Sequence, residues 1–485
     1  MLNRLIQVLL ILLFIFTPIA FGSIELWAFS LMELGILLII ILWAIQSLLH
    51  QTSNLAFQNS KFSIFNFQFA IPVVILSLFL LLVLFQMLPL SSGLLNILSP
   101  KTFELRNSLS AFNSQLLTFN PKFQISFVPF ITQVEFFKWL TLSGFFLFLL
   151  YWRQSNKEAI HYLIPVLMLV GIGESLYGTF EFFSGHKYIL HLDMEAMISS
   201  VTGTFINRNT FAGYLLMVIP LSVGFLFSRE AIQESRLRGW RYQLATLDGK
   251  TVLIGFSVIV MILGLLFSAS RMGIASLLLS FTLIIFLFRS PQKEKRFSRS
   301  LILILGLAIL WSVWIGLDAV ISRFFTSSED FKMRWRIWVD TFQMIKDFPL
   351  FGSGLGTFLQ VFPIYRSFHI RGLVTHSEND FLQLLSEVGI LGTGLLVILF
   401  FFLLFKVFSG IRTLSNRDPG RYIAIGGLVG ILALMFHSIV ERNIQVPANA
   451  FLYTMLWAIV LRTSQAKKGD RDVNNPSSIR HYELN

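Results

Sequence analysis

The sequence predicts an all-α polytopic membrane protein with about twelve transmembrane helices and a large helical extracytoplasmic loop between helices 9 and 10. Of its 485 residues, 55% are hydrophobic and 13% are charged, whereas soluble domains carry about 25% charged residues. Mean hydropathy is +0.72. Apolar stretches of about 17–25 residues, which is the length of a spanning helix, recur along the whole chain. One membrane domain explains these observations more simply than several soluble domains would.

The predicted spans follow directly from the apolar stretches. They lie near residues 5–21, 26–48, 70–90, 136–152, 160–183, 209–228, 251–270, 272–289, 300–319, 388–408, 422–440 and 448–463. The first span has the basic start of a signal peptide but no evident small-residue cleavage site, so we expect a retained helix. The transmembrane domain thus covers residues 1–463, and the polar tail 464–485 is predicted to be disordered.

Positive charge predicts the orientation, because cytoplasmic loops retain Lys and Arg. With the N-terminus inside, most of the 38 Lys and Arg residues fall in inside segments, so both termini are predicted to be cytoplasmic. Segment 229–250 is then predicted to be an amphipathic helix on the inner leaflet. The net charge of +12 fits contact with anionic membrane lipids, whereas nucleic-acid binding would need a basic soluble domain. The absence of cysteine excludes disulfides, Cys-zinc sites and thiol nucleophiles.

The longest outside loop, residues 320–387, concentrates ionisable and aromatic side chains. Loops of this length are usually functional or disordered, and the aromatic residues favour a packed outer subdomain. Residues 330–346 have helical spacing. Arg334 and Trp338 share a face of that helix, whereas Arg336 points elsewhere. The glycines of 351–358 predict a tight turn, because no strand–helix unit surrounds them as a dinucleotide loop would require.

The end of this loop carries a candidate general base. Thr375 and Glu378 have capping-box spacing, which would place His376 at the start of a helix. The partial positive charge there keeps an imidazole neutral, as a general base must be. Asp380, one turn further on, is placed to orient the ring. The alternative is a solvated polar face with a helix cap.

Arg271 lies between two apolar stretches, in Ser268-Ala-Ser-Arg-Met-Gly273. A charged residue at a membrane boundary is costly and commonly functional, although snorkelling to lipid phosphate is the alternative. Arginine suits bidentate binding of phosphate oxygens. Arg271 and Arg334, with Arg336 as the weaker third member, therefore predict a diphosphate clamp on the outer side.

Other polar residues could line a cavity or simply pair with helix neighbours. Glu174 and Glu181 share a helix face, and His437 and Glu441 are one turn apart near an outer end. Asn209, at an outer helix start, is also a plausible cap. The possible cavity residues are Asn207, Asn209, Glu174, Arg366, Arg371, His437 and Glu441.

Together these motifs resemble those of the O-antigen ligase and polymerase family of bacterial envelope glycosyltransferases. The matching pieces are Gly203-Thr-Phe-Ile-Asn-Arg-Asn-Thr-Phe-Ala212, Ser270-Arg271, Arg334 with Trp338, Pro349-Leu-Phe-Gly-Ser-Gly-Leu-Gly-Thr-Phe358, and Asn379-Asp-Phe-Leu-Gln-Leu-Leu-Ser-Glu-Val-Gly-Ile-Leu-Gly392. They cover roughly residues 200–400, and their order and common outer placement make the set fairly specific.

The resemblance implies that a glycan moves from an undecaprenyl diphosphate carrier to an acceptor hydroxyl at the periplasmic face of the bacterial inner membrane. The implied reaction is inverting, metal-independent and free of cofactors. The acceptor, whether lipid A-core, a growing glycan or another hydroxyl, stays open, as does the choice between ligase and polymerase in lipopolysaccharide biosynthesis. Arg271 and Arg334 match the family's arginines. The slot of the family's histidine falls on Glu378, so either the shifted His376 or Glu378 is the base.

A transporter of an anionic solute or a lipid-linked sugar is the main alternative, because twelve spans suit one. Against it, the two halves of the chain show no internal repeat, and the polar groups gather at one face instead of the midplane. A non-catalytic envelope scaffold is the third possibility.

Overall fold

The computed structural model describes residues 2–53, 70–112, 123–152, 156–185, 188–193, 200–232, 248–288, 306, 328–370, 372–416 and 418–465. The helices in these ranges are α1 (Leu2–Ile19), α2 (Leu26–Ser53), α3 (Ala70–Met87), α4 (Ser92–Leu98), α5 (Pro100–Phe112), α6 (Pro129–Tyr151), α7 (Asn156–Ser184), α8 (Arg208–Ile232), α9 (Gly249–Phe267), α10 (Arg271–Leu287), α11 (Ser328–Asp347), α12 (Phe358–Val361), α13 (Asp380–Thr413), α14 (Pro419–His437) and α15 (Pro447–Gln465). A short antiparallel hairpin pairs β1 (Tyr188–Ile189) with β2 (Leu192–Asp193).

Nine helices in the described part of the chain are long and apolar enough to cross a membrane: α1, α2, α3, α6, α7, α8, α9, α13 and α14. This confirms the predicted all-α polytopic class. Helix α10 is apolar but shorter, and α15 coincides with the last predicted span. The predicted span 300–319 lies outside the described residues, as do most of segment 229–250 and nearly all of the tail 464–485. The total of twelve spans therefore stays a prediction.

Helix α8 forms the centre of the bundle and is buried along its whole spanning window. It packs on α14 at glycines that leave no room for a side chain. A Cβ at Gly426 would lie 2.5 Å from the carbonyl oxygen of Pro220, and one at Gly430 would lie 2.8 Å from that of Met217. Small residues allow two helix backbones to approach this closely. Helix α14 thereby carries His437 to the end of the bundle where α10 and α13 begin, which we call the site end.

Helix α13 begins later than the sequence predicts. Its N-cap is Asn379, whose side chain accepts hydrogen bonds from two backbone N–H groups of the first turn, both at 3.0 Å. The predicted capping box from Thr375 to Glu378 is wrong. Glu378 has φ +53°, in the left-handed region, and this conformation keeps the helix from extending back to His376.

Helix α13 also bends at Gly389, where φ is 63° and ψ is −170°. A Cβ there would lie 2.3 Å from the carbonyl oxygen of Leu350, so the bend requires glycine. The backbone N–H of Ile390 donates to the carbonyl oxygen of Pro349 at 2.8 Å. The glycine-rich segment 351–358 therefore forms a turn seated against α13, as the sequence predicts.

A set of polar groups, which we call the glutamine network, ties this turn to α3 and α13. Gln86 Nε2 donates to the carbonyl oxygens of Phe351 (2.6 Å) and Glu387 (2.9 Å), and Gln86 Oε1 accepts from the N–H of Leu355 (3.1 Å). The carboxylate of Glu387 accepts from the N–H of Gly356 (2.8 Å) and from Gln383 Nε2 (3.0 Å). The network consists of Gln86, Phe351, Leu355, Gly356, Gln383 and Glu387.

Segment 328–374 has an apolar core of its own. Helix α11 contributes Ile337 and Met344 to it, and α12 contributes Phe358. Leu105 and Phe127, from the region between α4 and α6, pack against the same core. Segment 328–374 and the region between α4 and α6 therefore pack on one another, and together they position α11 beside the site end.

Candidate functional site

Four segments of the chain meet at the site end. They are the turn 268–271 before α10, one face of α11, the segment 375–380 before α13, and the connection 438–446 after α14. Ser270 Oγ lies 3.4 Å from Nε2 of His437, and this contact joins the turn before α10 to the end of α14, where the connection 438–446 begins. The indole Nε1 of Trp338 donates to the carbonyl oxygen of Ser377 at 3.0 Å and joins the middle two.

Arg334 lies at the centre of this meeting point. Its Nη2 is 2.7 Å from Oε1 of Glu441, which is almost fully buried. Its Nη1 donates to the carbonyl oxygen of Val440. The sequence prediction that Arg334 and Trp338 share a face agrees with these contacts, since both reach toward the polar segments of the site end.

Arg442 contacts the candidate base His376 directly. Its Nη1 lies 2.7 Å from Nδ1 of the imidazole and also contacts Nε2. The hydroxyl of Thr375 lies 2.8 Å from the same Nδ1. A guanidinium group only donates hydrogen bonds, so the nitrogen facing Arg442 must carry a lone pair. The contact therefore selects the neutral form of the ring.

The neutral state of His376 has a different cause from the predicted one. The ring precedes α13 by four residues, so the dipole at the helix start is not its immediate environment. Burial is the largest effect on its pKa, followed by the positive charges of Arg442 and Lys138, and together they lower the pKa to about 3. The ring is therefore neutral, as expected, because its burial and the two nearby cations both disfavour the protonated form.

Glu441 is shifted in the opposite direction. Burial raises its pKa to about 7, although the charge and hydrogen bond of Arg334 oppose the rise and a hydrogen bond from Asn209 opposes it further. Glu378 lies close enough to interact electrostatically with both Glu441 and Arg442. The site therefore contains a carboxyl group that exchanges its proton near neutral pH.

Asp380 organises the connection after α14. Its Oδ2 accepts hydrogen bonds from the N–H groups of Asn443 (2.9 Å) and Ile444 (2.8 Å), and its own N–H donates to the carbonyl oxygen of Ser438 (3.1 Å). The predicted orientation of the His376 ring by Asp380 is wrong. Asp380 instead fixes the backbone beside Arg442, so its effect on the ring is indirect.

Arg271 stands at the edge of the same region. Its Nη2 is 3.2 Å from Oδ2 of Asp330, and both side chains are partly exposed. Asp330 and Arg334 are four residues apart on α11, so they lie one turn apart on the same face. Arg271 thus contacts the face of α11 that carries Arg334, one turn before it. We call Arg271, Arg334 and Arg442 the arginine cluster. Arg336 is exposed on another face of α11.

The remaining candidate residues divide between the site and the scaffold. His437 is buried and hydrogen-bonds Asn443 at 3.2 Å, and Asn209 contacts Glu441. Asn207, and not Asn209, caps α8, because its Oδ1 accepts from the N–H of Asn209 at 2.8 Å.

Two further candidates lie apart from the arginine cluster. Glu174 accepts hydrogen bonds from both the N–H and the hydroxyl of Thr204, each at 2.8 Å, and fastens α7 to the segment before α8. Arg366 donates to the carbonyl oxygen of Gly372 at 3.3 Å. Arg371 lies outside the described residues. In the described part of the chain, His, Asp and Glu form no group of three or more that could hold a metal ion.

Sequence reasoning missed Arg442 and Lys138. Arg442 follows Glu441 in a short polar stretch between two apolar spans, which is the same signal that singled out Arg271. Lys138 lies inside a predicted span and pairs with Glu135, and an ionisable residue at that depth is itself a functional signal. Both could therefore have been found by applying the Arg271 argument to every span and span boundary.

Comparison with known proteins agrees with the resemblance inferred from the motifs. No curated protein matches the chain. Residues 256–397 match the family model described as O-antigen ligase, and this segment contains Arg271, Arg334, His376 and Asp380. The chain is therefore a polytopic membrane protein in which residues 256–397 match the O-antigen ligase family model.

Proposed function

We propose that this protein is a glycosyltransferase of the bacterial inner membrane that moves a glycan from undecaprenyl diphosphate to an acceptor hydroxyl at the periplasmic face. The observation that carries the proposal is that three arginines from separate parts of the chain lie at the site end, where one of them, Arg442, contacts a neutral histidine. A concentration of guanidinium groups at a membrane boundary suits a lipid-linked diphosphate, which brings several negative charges to that depth. Both termini are then cytoplasmic, and residues 320–387 form the catalytic loop.

Arg334 and Arg442 are proposed to bind the diphosphate, with Arg271 at the entrance. In the ligand-free protein Arg334 is paired with Glu441. Because burial raises the pKa of Glu441 to about 7, this carboxyl can take up a proton as the diphosphate arrives. The exchange frees Arg334 for the ligand without leaving two anions in contact.

His376 is proposed to be the general base. It removes the proton from the acceptor hydroxyl as the hydroxyl oxygen bonds to the anomeric carbon. The bond from that carbon to the carrier phosphate breaks, and the electron pair leaves with the diphosphate, which the arginines stabilise. Attack from the opposite face inverts the anomeric configuration. Glu378 remains the alternative base, because it also lies within electrostatic reach of Arg442.

The diphosphate itself would activate the base. Burial, Arg442 and Lys138 hold the pKa of His376 at about 3 in the free protein, which makes the ring a weak proton acceptor. An anionic diphosphate bound to the arginines offsets their charge and raises this pKa toward neutrality. Proton removal is thereby coupled to the presence of the donor substrate.

A transfer assay in liposomes tests the proposal. The purified protein is supplied with an undecaprenyl-diphosphate glycan and an acceptor, and the product is identified by mass spectrometry. Arg271→Ala is expected to reduce transfer at least as much as His376→Ala, because stabilising charge on the leaving group is often the larger contribution. Arg271→Lys is not expected to restore it. Arg412→Gln, an exposed arginine near the other end of α13, is the control. Full transfer by Arg271→Ala would contradict the arginine role.

The contribution of Arg334 needs a double variant, since removing it alone leaves Glu441 buried without its cation. Arg334→Gln combined with Glu441→Gln removes both charges, so the protein should fold but fail to transfer. Transfer that persists in EDTA supports a metal-independent reaction. In sealed vesicles, movement of the lipid-linked glycan without covalent transfer would favour the transporter alternative.

A further inference from the structure

Helix α11 lies across the end of the bundle and not along it. Three of its residues, each one turn after the last, contact different segments at the site end. Asp330 contacts Arg271 at the start of α10, Arg334 contacts Glu441 just after α14, and Trp338 contacts the residue 377 carbonyl just before α13. These contacts extend over about 12 Å of helix at 1.5 Å per residue. Since the ends of membrane-spanning helices mark the bilayer boundary, α11 runs roughly in the plane of that boundary.

An adjacent face of α11 presents an apolar stripe, whose Phe331 and Trp335 rings contact Trp338. Phe331, Trp335, Val339 and Phe342 are 54%, 56%, 43% and 51% exposed, and their spacing places them along one side of the helix. We call these four residues the aromatic stripe. On a water-exposed protein surface, a contiguous apolar patch of this kind marks an interaction site. Helix α11 is not among the candidate spans, so the stripe is not explained by membrane crossing.

Basic residues accompany the stripe. Lys332 and Arg336 are exposed and one turn apart, on the side of the stripe away from Arg334. The ammonium group of Lys346 lies 5.1 Å from the centre of the Phe342 ring. Such a combination, with Lys and Arg beside Trp and Phe, is typical of helices that lie in a membrane interface.

The acidic side chains of α11 that the structure describes are engaged elsewhere. Asp330 pairs with Arg271. Asp340 is buried and accepts from the N–H of Ser367 at 2.8 Å, and Asp347 accepts from the hydroxyl of Tyr365 at 2.7 Å. Among the described residues, the charge beside the aromatic stripe is therefore positive, which complements anionic lipid headgroups.

We propose that α11 lies in the headgroup layer of the leaflet at the site end, with its aromatic stripe inserted toward the acyl chains and with Lys332, Arg336 and Lys346 on anionic phospholipid phosphates. One helix then faces the lipid with one side and the arginine cluster with another. Arg334 is thereby held at the depth of lipid phosphates, where a lipid-linked diphosphate travels. Only this last consequence rests on the proposed function.

The absence of native cysteine makes single-cysteine labelling a direct test. Nitroxide labels at Trp335→Cys and Phe342→Cys would be compared with one at Gln360→Cys, an exposed residue of α12. In vesicles of phosphatidylethanolamine and phosphatidylglycerol, the stripe labels should collide more with oxygen than with an aqueous nickel chelate. Their depth should be about 5–10 Å into the headgroup and acyl boundary. The Gln360→Cys label should show the reverse preference.

Two results would overturn the proposal. Stripe labels as accessible to the nickel chelate as the Gln360→Cys label would place α11 in water. Stripe labels shielded from both oxygen and the nickel chelate would mean that protein, and not lipid, covers them. The depth measurement needs no glycan transfer, so its failure is distinguishable from failure of the proposed activity. As a second measurement, Lys332→Glu with Arg336→Glu should raise the KM for the lipid-linked donor in anionic vesicles while kcat stays unchanged.

Discussion

The arginine cluster and the glutamine network are both polar regions in an apolar protein, yet they are organised in opposite ways. In the network, the amide of Gln86 and the carboxylate of Glu387 use their oxygens and nitrogens in hydrogen bonds to backbone or amide groups. In the cluster, Arg442 faces the neutral ring of His376. The network is closed by hydrogen bonds to neutral groups, whereas the cluster is held by contacts between ionisable side chains: Arg271 with Asp330, Arg334 with Glu441, and Arg442 near Glu378 and Asp380.

This difference distinguishes polar groups that stabilise the fold from polar groups that act on a ligand. A buried polar group is tolerated when all its hydrogen bonds are made, and a closed network then fixes geometry, here the turn 350–357 against α13. Cations crowded beside an imidazole raise the free energy of the ligand-free protein. They are explained if an anion arrives to offset them. Substitutions in the two regions should therefore affect different measured quantities.

The largest expected effect is on transfer by Arg442→Gln. Loss of one charge-stabilising donor commonly reduces kcat by about 10²–10³-fold, and we expect that loss here with little change in the apparent Tm. Arg442→Lys should recover only part of it, because lysine lacks the planar fork. Steady-state transfer assays in liposomes measure the effect, with Arg412→Gln as the matched control. Normal transfer by Arg442→Gln would remove the distinction between the two regions.

Gln86→Leu should have the converse effect, on stability. The change leaves the N–H of Leu355 and the carbonyl oxygen of Phe351 without partners, and it removes one of the two hydrogen bonds to the carbonyl oxygen of Glu387. Each unsatisfied buried group costs about 1–3 kcal/mol, so the apparent Tm in detergent should fall clearly. Transfer per folded molecule should change much less than in Arg442→Gln. Gln360→Leu, at an exposed position, should leave both quantities near their original values.

The pH dependence of stability should carry two contributions of opposite sign. The folded-state pKa of His376 is lowered from 6.5 to about 3, so the unfolded chain binds more protons in that window and stability rises with pH across it. The pKa of Glu441 is raised from 4.5 to about 7, so the folded protein binds more protons there and stability falls as pH rises through that window.

Melting curves from pH 3 to pH 8 separate the two contributions. The Tm advantage of the wild-type protein over His376→Gln should grow as pH rises toward 6.5. Its advantage over Glu441→Gln should shrink between pH 4.5 and 7. A flat difference in either comparison would mean that folding does not shift the pKa of that residue.

The sequence predicted the helices better than the contacts between them. Hydropathy located the spans, because each crossing must be apolar along its length whatever it packs against. The start of α13 was misplaced. Thr375 and Glu378 have the spacing of a capping box in the sequence, but in the structure the side chain of Asn379 caps the helix. No local sequence pattern predicts the hydrogen bonds of Gln86, because its partners lie 265 to 301 residues away along the chain. The arginine cluster was predicted only in part, because the span-boundary argument that identified Arg271 was not applied to Arg442.

The smallest expected effect concerns Asp330, at the exposed rim of the arginine cluster. The side chains of Arg271 and Asp330 are 33% and 67% exposed, and exposed ion pairs contribute about 1 kcal/mol or less. Asp330→Asn should therefore leave the Tm almost unchanged. Because the carboxylate competes with a diphosphate for Arg271, its removal should modestly lower the KM for the lipid-linked donor and leave kcat unaltered. A rise in KM would show instead that Asp330 holds Arg271 in position. The protein would then fix this arginine before any ligand arrives, and the rim of the cluster would be organised like the glutamine network.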